Sequence, residues 1–265
     1  MGRPPSTRKD LCKAISKSIP FHFTPPQYHH KVKAFLLAAG LGSRLRPLTD
    51  KMPKCLLPIH GKPILQIWLE QLTESGVDEI LINTHYLHDQ VEDFAKTWSG
   101  KSRLILNHEP SLLGSAGTIR ANLDFLKGED VFLVCYADNL TKFDATLLSK
   151  LLKSRVSENP LGVMALHHSN EPHRCGIVQM DENGWIRKFE EKPKNPTSNL
   201  ANSGIYSFTL EALKLLPKKT PSDIGFDFIP QLVPRLLGLK MNEPLLDIGT
   251  VDAYRKANAV FLTKL

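Results

Sequence analysis

A short apolar run, Val32–Ala39 (VKAFLLAA), stops at Gly40 and gives way to a loop rich in glycine, arginine and proline. A strand that is apolar at consecutive rather than alternating positions must be covered on both faces. That is the condition of a central strand in a sheet flanked by helices. Val131–Tyr136 (VFLVCY) has the same character. Between these runs the chain alternates. A helix is expected from about Pro63 to Ser75, with Pro63 suited to its first turn and Gly76 to its C-terminal cap. Glu79–Thr84 and Arg103–Asn107 read as strands, and His88–Trp98 and Ile119–Leu126 as helices, the latter entered through Gly114-Ser115-Ala116-Gly117. Strand and helix in alternation imply a parallel sheet with helices on both faces.

The pattern then changes. Leu161–His167, Gly176–Met180, Trp185–Glu190 and Ala201–Phe208 read as strands on short connections, with Asp181–Gly184 as a hairpin turn. Helices are expected over Leu210–Leu216, Phe226–Leu237 and Val251–Leu262. The expected fold class is therefore α/β: a single-domain, Rossmann-like α/β/α sandwich with a mixed, mainly parallel sheet. The domain is expected to occupy residues 31–265. Residues 1–30 carry Pro4, Pro5, Pro20, Pro25 and Pro26, and set five Lys and Arg against the single acid Asp10. They read as a basic, Pro-rich, disordered extension, a composition that also resembles a transit peptide.

The bulk numbers exclude more than they assign. A chain of 265 residues with 42% hydrophobic content can bury a large core. The four cysteines (Cys12, Cys55, Cys135, Cys175) form no CxxC pair, so neither a disulfide framework nor a zinc site is expected. No apolar run approaches the ~20 residues of a membrane span. A cytoplasmic protein with no membrane partner is the simplest expectation. The net charge of +7 suits anionic ligands, and no basic–aromatic motif points to nucleic acid. His29, His30, His85, His88, His167 and His168 show no metal-ligand spacing and read as ordinary surface or core residues.

The chemistry concentrates after the first strand. Gly40-Leu-Gly42-Ser43-Arg44-Leu-Arg46-Pro47-Leu48-Thr49 is followed by Pro53-Lys54-Cys-Leu-Leu-Pro58-Ile59. Glycines after a buried strand let backbone N–H groups approach an anion, and Arg44 and Lys54 add positive charge beside them. Such a loop can hold a triphosphate. Two other phosphate motifs are excluded. Position 45 is Leu, so the loop is not GxGxxG, and Gly61-Lys62 precedes Pro63, so it is not a Walker loop.

Residues 40–59 match GxGxRLxPLTxxxPKxLxPI, and here the chain resembles the sugar-1-phosphate nucleotidyltransferases, the nucleotide-sugar pyrophosphorylases. Five further segments carry the resemblance: Leu113–Thr118 (LGSAGT, with Ser115 where Thr is commoner), Tyr136–Asn139 (YADN), Glu190–Pro193 (EEKP), Asn202–Tyr206 (NSGIY) and Leu246–Thr250 (LDIGT). The resemblance covers about residues 31–260 and implies an enzyme that transfers a nucleotidyl group from a nucleoside triphosphate to a sugar 1-phosphate, releasing pyrophosphate. It implies that Arg44, Lys54 and Asp138 are catalytic. Leu37, Ala39, Gly40, Gly42, Ser43, Arg44, Gly114 and Gly117 would bind nucleotide, and Asp138, Glu191, Lys192, Asn202 and Gly204 the sugar phosphate. Asp138 and Asp247 would hold Mg²⁺. Segments 113–118 and 136–139 lean toward GTP and mannose 1-phosphate or a related manno sugar. The alternatives are dTTP or UTP with glucose 1-phosphate, or a non-catalytic regulatory subunit that binds nucleotide-sugar. Retention of Arg44, Lys54, Asp138 and Asp247 favours catalysis. A homo-oligomer stays open. No hexapeptide-repeat domain follows the last expected helix, so neither acetyltransferase activity nor a repeat-mediated trimer is expected.

Overall fold

The computed structural model describes residues 32–260. The expected extension, its boundary at residue 30 and the end of the last helix lie outside the described residues. The first run becomes β1 (Lys33–Leu37). Ala34 and Leu36 enter the core on one face of the sheet, and Phe35 and Leu37 the core on the other. That two-sided burial is why its apolar residues run consecutively. Next comes α1 (Ile64–Glu74), which buries Ile64, Leu65, Ile67, Trp68, Leu69 and Leu72. Each such side chain contributes about 1.5–3 kcal/mol relative to exposure. The helix ends as expected at Gly76, whose φ is 89°. Val77 N–H reaches the Leu72 carbonyl and Gly76 N–H the Thr73 carbonyl, a Schellman closure.

Chain order continues with β2 (Glu79–Thr84), α2 (His88–Lys96), β3 (Arg103–His108), α3 (Ser115–Ala121), β4 (Val131–Tyr136), β5 (Asn139–Leu140) and α4 (Thr146–Ser154). Then follow β6 (Gly162–His168), β7 (Gly176–Met180), β8 (Ile186–Glu191), β9 (Leu200–Thr209), α5 (Ile229–Leu232), β10 (Leu236–Lys240), β11 (Leu246–Asp247) and α6 (Val251–Val260). Among the described residues, nine strands form one sheet. Its main path runs β8-β7-β9-β4-β1-β2-β3, with β6 pairing β9 and β10 pairing β6. Strands β3, β2, β1 and β4 are mutually parallel, whereas β9 runs antiparallel to β4 and to β6. The mixed, mainly parallel sandwich is as expected.

Four elements depart from expectation, one of them the helix expected over Leu210–Leu216, which is a 3-10 helix over Leu210–Leu215. The helix expected at 119–126 begins four residues earlier, at Ser115, and its tail is a separate 3-10 turn, Leu123–Leu126. The helix expected over Phe226–Leu237 is corrected. The segment instead forms a π-turn (Ile224–Phe228), the single-turn α5 and the strand β10. Pro234 explains the break, since it cannot donate to a helix and pushes Val233 into an extended conformation. Helix α4 was not expected, although Leu148, Leu151 and Leu152 carry its spacing.

Candidate functional site

In open α/β sheets ligands collect beyond the carboxyl ends of the strands, where strand order reverses. Here that place lies between β1, which continues outward to β2 and β3, and β4. The loop after β1 is fixed by specific bonds. Asn83 Oδ1 accepts from Ala38 N–H (2.7 Å), and the Leu37 carbonyl accepts from Ala137 N–H (3.0 Å). Buried Thr49 donates to the Gly42 carbonyl (2.8 Å). Gly42 has φ 63°, and a Cβ there would stand 2.9 Å from the Thr49 methyl, so this glycine shapes the loop. Around Gly40 nothing lies within 4 Å of where a Cβ would be, so a ligand can approach the backbone there. Ala39 is buried, and Ser43 and Arg44 are exposed. The second half of the loop is clamped by α6. Tyr254 Oη donates to the Pro58 carbonyl (2.6 Å), and His60 N–H donates to Asn258 Oδ1 (3.0 Å).

The loop delivers its cations to two acids. Lys54 Nζ lies 2.5 Å from Asp138 Oδ2. Asp138 directly follows β4 and Ala137, and β5 then pairs antiparallel with β11, setting Asp247 opposite Asn139. Ile248 N–H donates to the Asp138 carbonyl (2.9 Å), so two acids far apart in sequence are tied by backbone. Gly249 leaves room between the Asp247 carboxylate and Arg44. A Cβ there would stand 2.9 Å from Asp247 Oδ1 and 3.3 Å from Arg44 Nη2. The surrounding protein and then the charge of Asp138 push the Asp247 carboxyl above its ordinary value, against the pull of Lys54, Arg44 and Arg174. Two hard carboxylates beside Lys54 and Arg44 fit Mg²⁺, which takes one or two carboxylates and completes its shell with water and phosphate oxygens.

The second side of the cleft is built by β8 and β9. Glu191 ends β8, and two glycines make room for its carboxylate. A Cβ at Gly176 or at Gly225 would stand 2.6 or 2.5 Å from Glu191 Oε2. Burial, and secondarily the charge of Asp223, raise its carboxyl above the ordinary glutamate value. Lys192 has φ 49° although it precedes Pro193, a place that favours extended backbone. Such strain persists only where the surroundings fix it, and Lys192 N–H donates to the Cys175 carbonyl (3.0 Å). Asn202 is oriented at both ends, donating to Tyr206 Oη (2.7 Å) and accepting from Gly204 N–H (2.9 Å). Gly204 has φ 68° where β9 breaks register, and a Cβ there would stand 2.4 Å from Asn139 Nδ2. Asn139 itself donates to the Ser203 carbonyl (2.8 Å).

The Leu113–Gly117 turn is anchored on Ser222. Its Ala116 and Gly117 amides already donate to the Ser222 carbonyl (3.0 and 3.2 Å), so they are not spare donors. Gly114 (φ 77°) meets the same carbonyl, with a Cβ position only 2.3 Å away. Sequence reasoning also missed a buried network that braces this turn against the β1 loop. Asn83 Nδ2 donates to Glu109 Oε1 (3.0 Å) and to Thr118 Oγ1 (3.1 Å), Thr118 Oγ1 donates to Glu109 Oε1 (2.5 Å), and Leu113 N–H donates to Glu109 Oε2 (3.1 Å). Asn83 inside the apolar strand Glu79–Thr84 was the available signal, because a polar side chain there needs buried partners. Arg174, paired with Glu171 (3.1 Å), is a further cation felt by Asp247. Among the described histidines, His88 stacks on His108 at 3.9 Å and lies 3.0 Å from Asp89, and His85 bonds the Glu109 carbonyl (2.7 Å). A cavity of about 470 Å³, lined by Ile59, His60, Lys62, Glu70 and Lys142 among others, contains none of the cleft residues.

A profile of the nucleotidyl transferase family matches residues 33–264. Among curated proteins, the mannose-1-phosphate guanylyltransferase catalytic subunit beta of Drosophila melanogaster is 30% identical over 91% of this chain and 65% of its own length. The UTP–glucose-1-phosphate uridylyltransferase of Synechocystis is 30% identical over 85% of this chain and 62% of its own. The chain thus spans less than two thirds of these relatives. A UDP-glucose pyrophosphorylase in complex with UDP-glucose has the same fold, with TM-score 0.75 at 23% identity over 89% of this chain and 100% of its own. HddC from Yersinia pseudotuberculosis, complexed with GMP-PN, gives 0.72 at 23% over 87% and 99%.

Proposed function

The chain belongs to the nucleotidyl transferase family, and we propose that it joins a sugar 1-phosphate to a nucleoside triphosphate, forming a nucleotide-sugar and pyrophosphate. One observation carries this reading: Arg44, Lys54, Asp138 and Asp247 converge at the strand-order reversal, where the open backbone at Gly40 also lies. In the reaction a sugar-phosphate oxygen attacks the α-phosphorus. One P–O bond forms as the bond to pyrophosphate breaks, and no proton need be removed from the nucleophile. Catalysis then rests on alignment and charge neutralisation. Arg44 stabilises the departing pyrophosphate. Lys54, held on Asp138, keeps positive charge beside the reacting phosphates. Glu191 accepts from sugar hydroxyls, Lys192 pairs with the sugar phosphate, and Asn202 and Gly204 shape the same pocket. Leu37, Ala39, Gly40, Gly42, Ser43, Gly114 and Gly117 surround the nucleotide. Asp138 and Asp247 would hold Mg²⁺, which supplies neutralisation of phosphate charge when bound.

The nucleotide is GTP and the sugar mannose 1-phosphate or a related manno sugar on this reading, supported by segments 113–118 and 136–139 and by the name of the Drosophila relative. The Synechocystis relative's name supports UTP and glucose 1-phosphate as the second reading. A cytoplasmic setting suits these substrates, and among the described residues no helix is long and apolar enough to cross a membrane. The test is pyrophosphate release across GTP, UTP, dTTP, CTP and ATP, each with several sugar 1-phosphates. GTP with mannose 1-phosphate is expected to turn over best. A preference of about tenfold, ~1.4 kcal/mol, for UTP or dTTP would reject the guanylyl assignment and keep the class. No pyrophosphate from any pair would favour a regulatory, nucleotide-sugar-binding protein.

A further inference from the structure

We propose that Phe226 is a positioning residue for Lys192, and that Ser222–Phe226 forms a strap through which the Leu113–Gly117 turn holds the sugar-phosphate side of the cleft. The inference rests on the reading of Glu191 and Lys192 as sugar-phosphate ligands, and deepens it. Phe226 leaves 56% of its surface exposed, although a large aromatic ring gains most from burial. The ring is used in another way: Lys192 Nζ stands over it, 5.5 Å from the centroid. The preceding residue, Gly225, abuts the Glu191 carboxylate. Consecutive residues of the strap thus face consecutive residues of the Glu191–Lys192 pair.

The strap is tied down at its other end. Ser115 Oγ donates to Asp223 Oδ2 (2.8 Å) and accepts from Ile224 N–H (2.7 Å). The Ser222 carbonyl accepts the Ala116 and Gly117 amides, and Ser222 N–H donates to the Leu113 carbonyl (3.0 Å). Asp223 Oδ1 takes the Gly225 and Phe226 amides (2.8 and 3.0 Å), which fixes the backbone that presents the ring. Asp223 is therefore spent on shape, and the ring's place follows from Ser115.

Lys192 needs such help. Its side chain is 55% exposed, and its ion pair with Glu191 is loose at 3.8 Å. An ammonium on a long flexible stem loses much freedom when it engages a phosphate. A ring that gathers it beforehand lowers that cost on binding.

The test uses the full chain with Phe226→Ala, Phe226→Leu, Phe226→Tyr and Ser115→Ala. Phe226→Ala and Phe226→Leu should raise KM for the sugar 1-phosphate roughly two- to fivefold, the scale of an exposed cation–π contact, with kcat and the KM for triphosphate unchanged. Phe226→Tyr should restore the wild-type value, because it keeps the ring. Ser115→Ala, which touches neither Lys192 nor Phe226 but unties the strap at Asp223 and Ile224, should shift the same constant in the same direction. Leucine rescuing as well as tyrosine, or KM unmoved in Phe226→Ala, would overturn the proposal. A second readout needs no turnover: acylation of the Lys192 amine by a small reagent, followed by peptide mass spectrometry. It should quicken in Phe226→Ala and stay at the wild-type rate in Phe226→Tyr, and an unchanged rate in Phe226→Ala overturns the contact. A wild-type protein that releases no pyrophosphate with any pair, yet shows this acylation difference, would reject the function and leave the strap standing.

Discussion

The two sides of the cleft hold their polar groups by different means. On the side proposed for the phosphates, charges hold charges: Lys54 lies on Asp138, Arg44 lies beside Asp247, and the acids are joined through the Ile248 amide. On the side proposed for the sugar, backbone and packing hold the groups: glycines make room for Glu191, a strained φ aims Lys192, and Asn202 is bonded at both ends. The first arrangement is an electrostatic unit in which cations and acids lie against one another. The second is a mould in which members act more nearly alone. Damage should accordingly appear in kcat on one side and in sugar affinity on the other.

The sharpest test of the unit removes its acids. Asp138→Asn and Asp247→Asn are nearly isosteric, and each should lower turnover by roughly 10²–10³-fold in a folded protein, the scale of losing one group that stabilises transition-state charge. The double variant should be little worse than either single, as for residues that act together. Additive losses in single-turnover kinetics would break the unit into two independent sites. Arg44→Ala comes next, with an expected loss of roughly 10²-fold. Arg44→Lys should recover only part of it, since a point charge does not replace a planar fork. Near-normal turnover in Arg44→Ala would place that residue outside the chemistry.

On the mould side, Glu191→Ala should raise KM for the sugar 1-phosphate about 10–100-fold, matching the ~1.5–3 kcal/mol of a hydrogen bond to a charged group. The KM for triphosphate should stay near wild type. If both constants rise together, the two sides are not separable. The smallest effect is on stability. The Glu191 carboxyl titrates above its unfolded value because burial and Asp223 disfavour its charge. Its contribution is therefore complete below the ordinary glutamate range and is lost as pH rises through the raised value. Glu191→Gln does not ionise, so its melting temperature relative to wild type should climb as pH rises from about 4 toward neutrality. A flat difference would show that the carboxylate pays no burial cost.

The same contrast governs what could be read beforehand. The parallel half was legible because Val32–Ala39 and Val131–Tyr136 are apolar at every core position, and a chain can bury such runs in few ways. Arg44, Lys54, Asp138 and Asp247 were legible because the charged unit is written in fixed local motifs. The strap was not. Ser115 bonds Asp223 across more than a hundred residues, and neither type at that distance announces a partner. Phe226–Leu237 misled because its apolar spacing suits a helix, whereas Pro234 and the parallel pairing of Leu236–Lys240 with β6 decide the outcome. Long-range pairing of this kind leaves no mark in local periodicity.

The bond from Ile248 to the Asp138 carbonyl also has a consequence for how the protein is made. Translation runs from the N-terminus, and the parallel strands β1 to β4 are complete long before residue 247 is added. The first four strands can thus pair with one another while the second acid is still missing. Contacts of such wide sequence separation are closed late and slowly. The two acids can come together only when β11 docks against β5, so a chain stalled before residues 246–250 would carry Asp138 without Asp247 and leave the core without the buried Ile248.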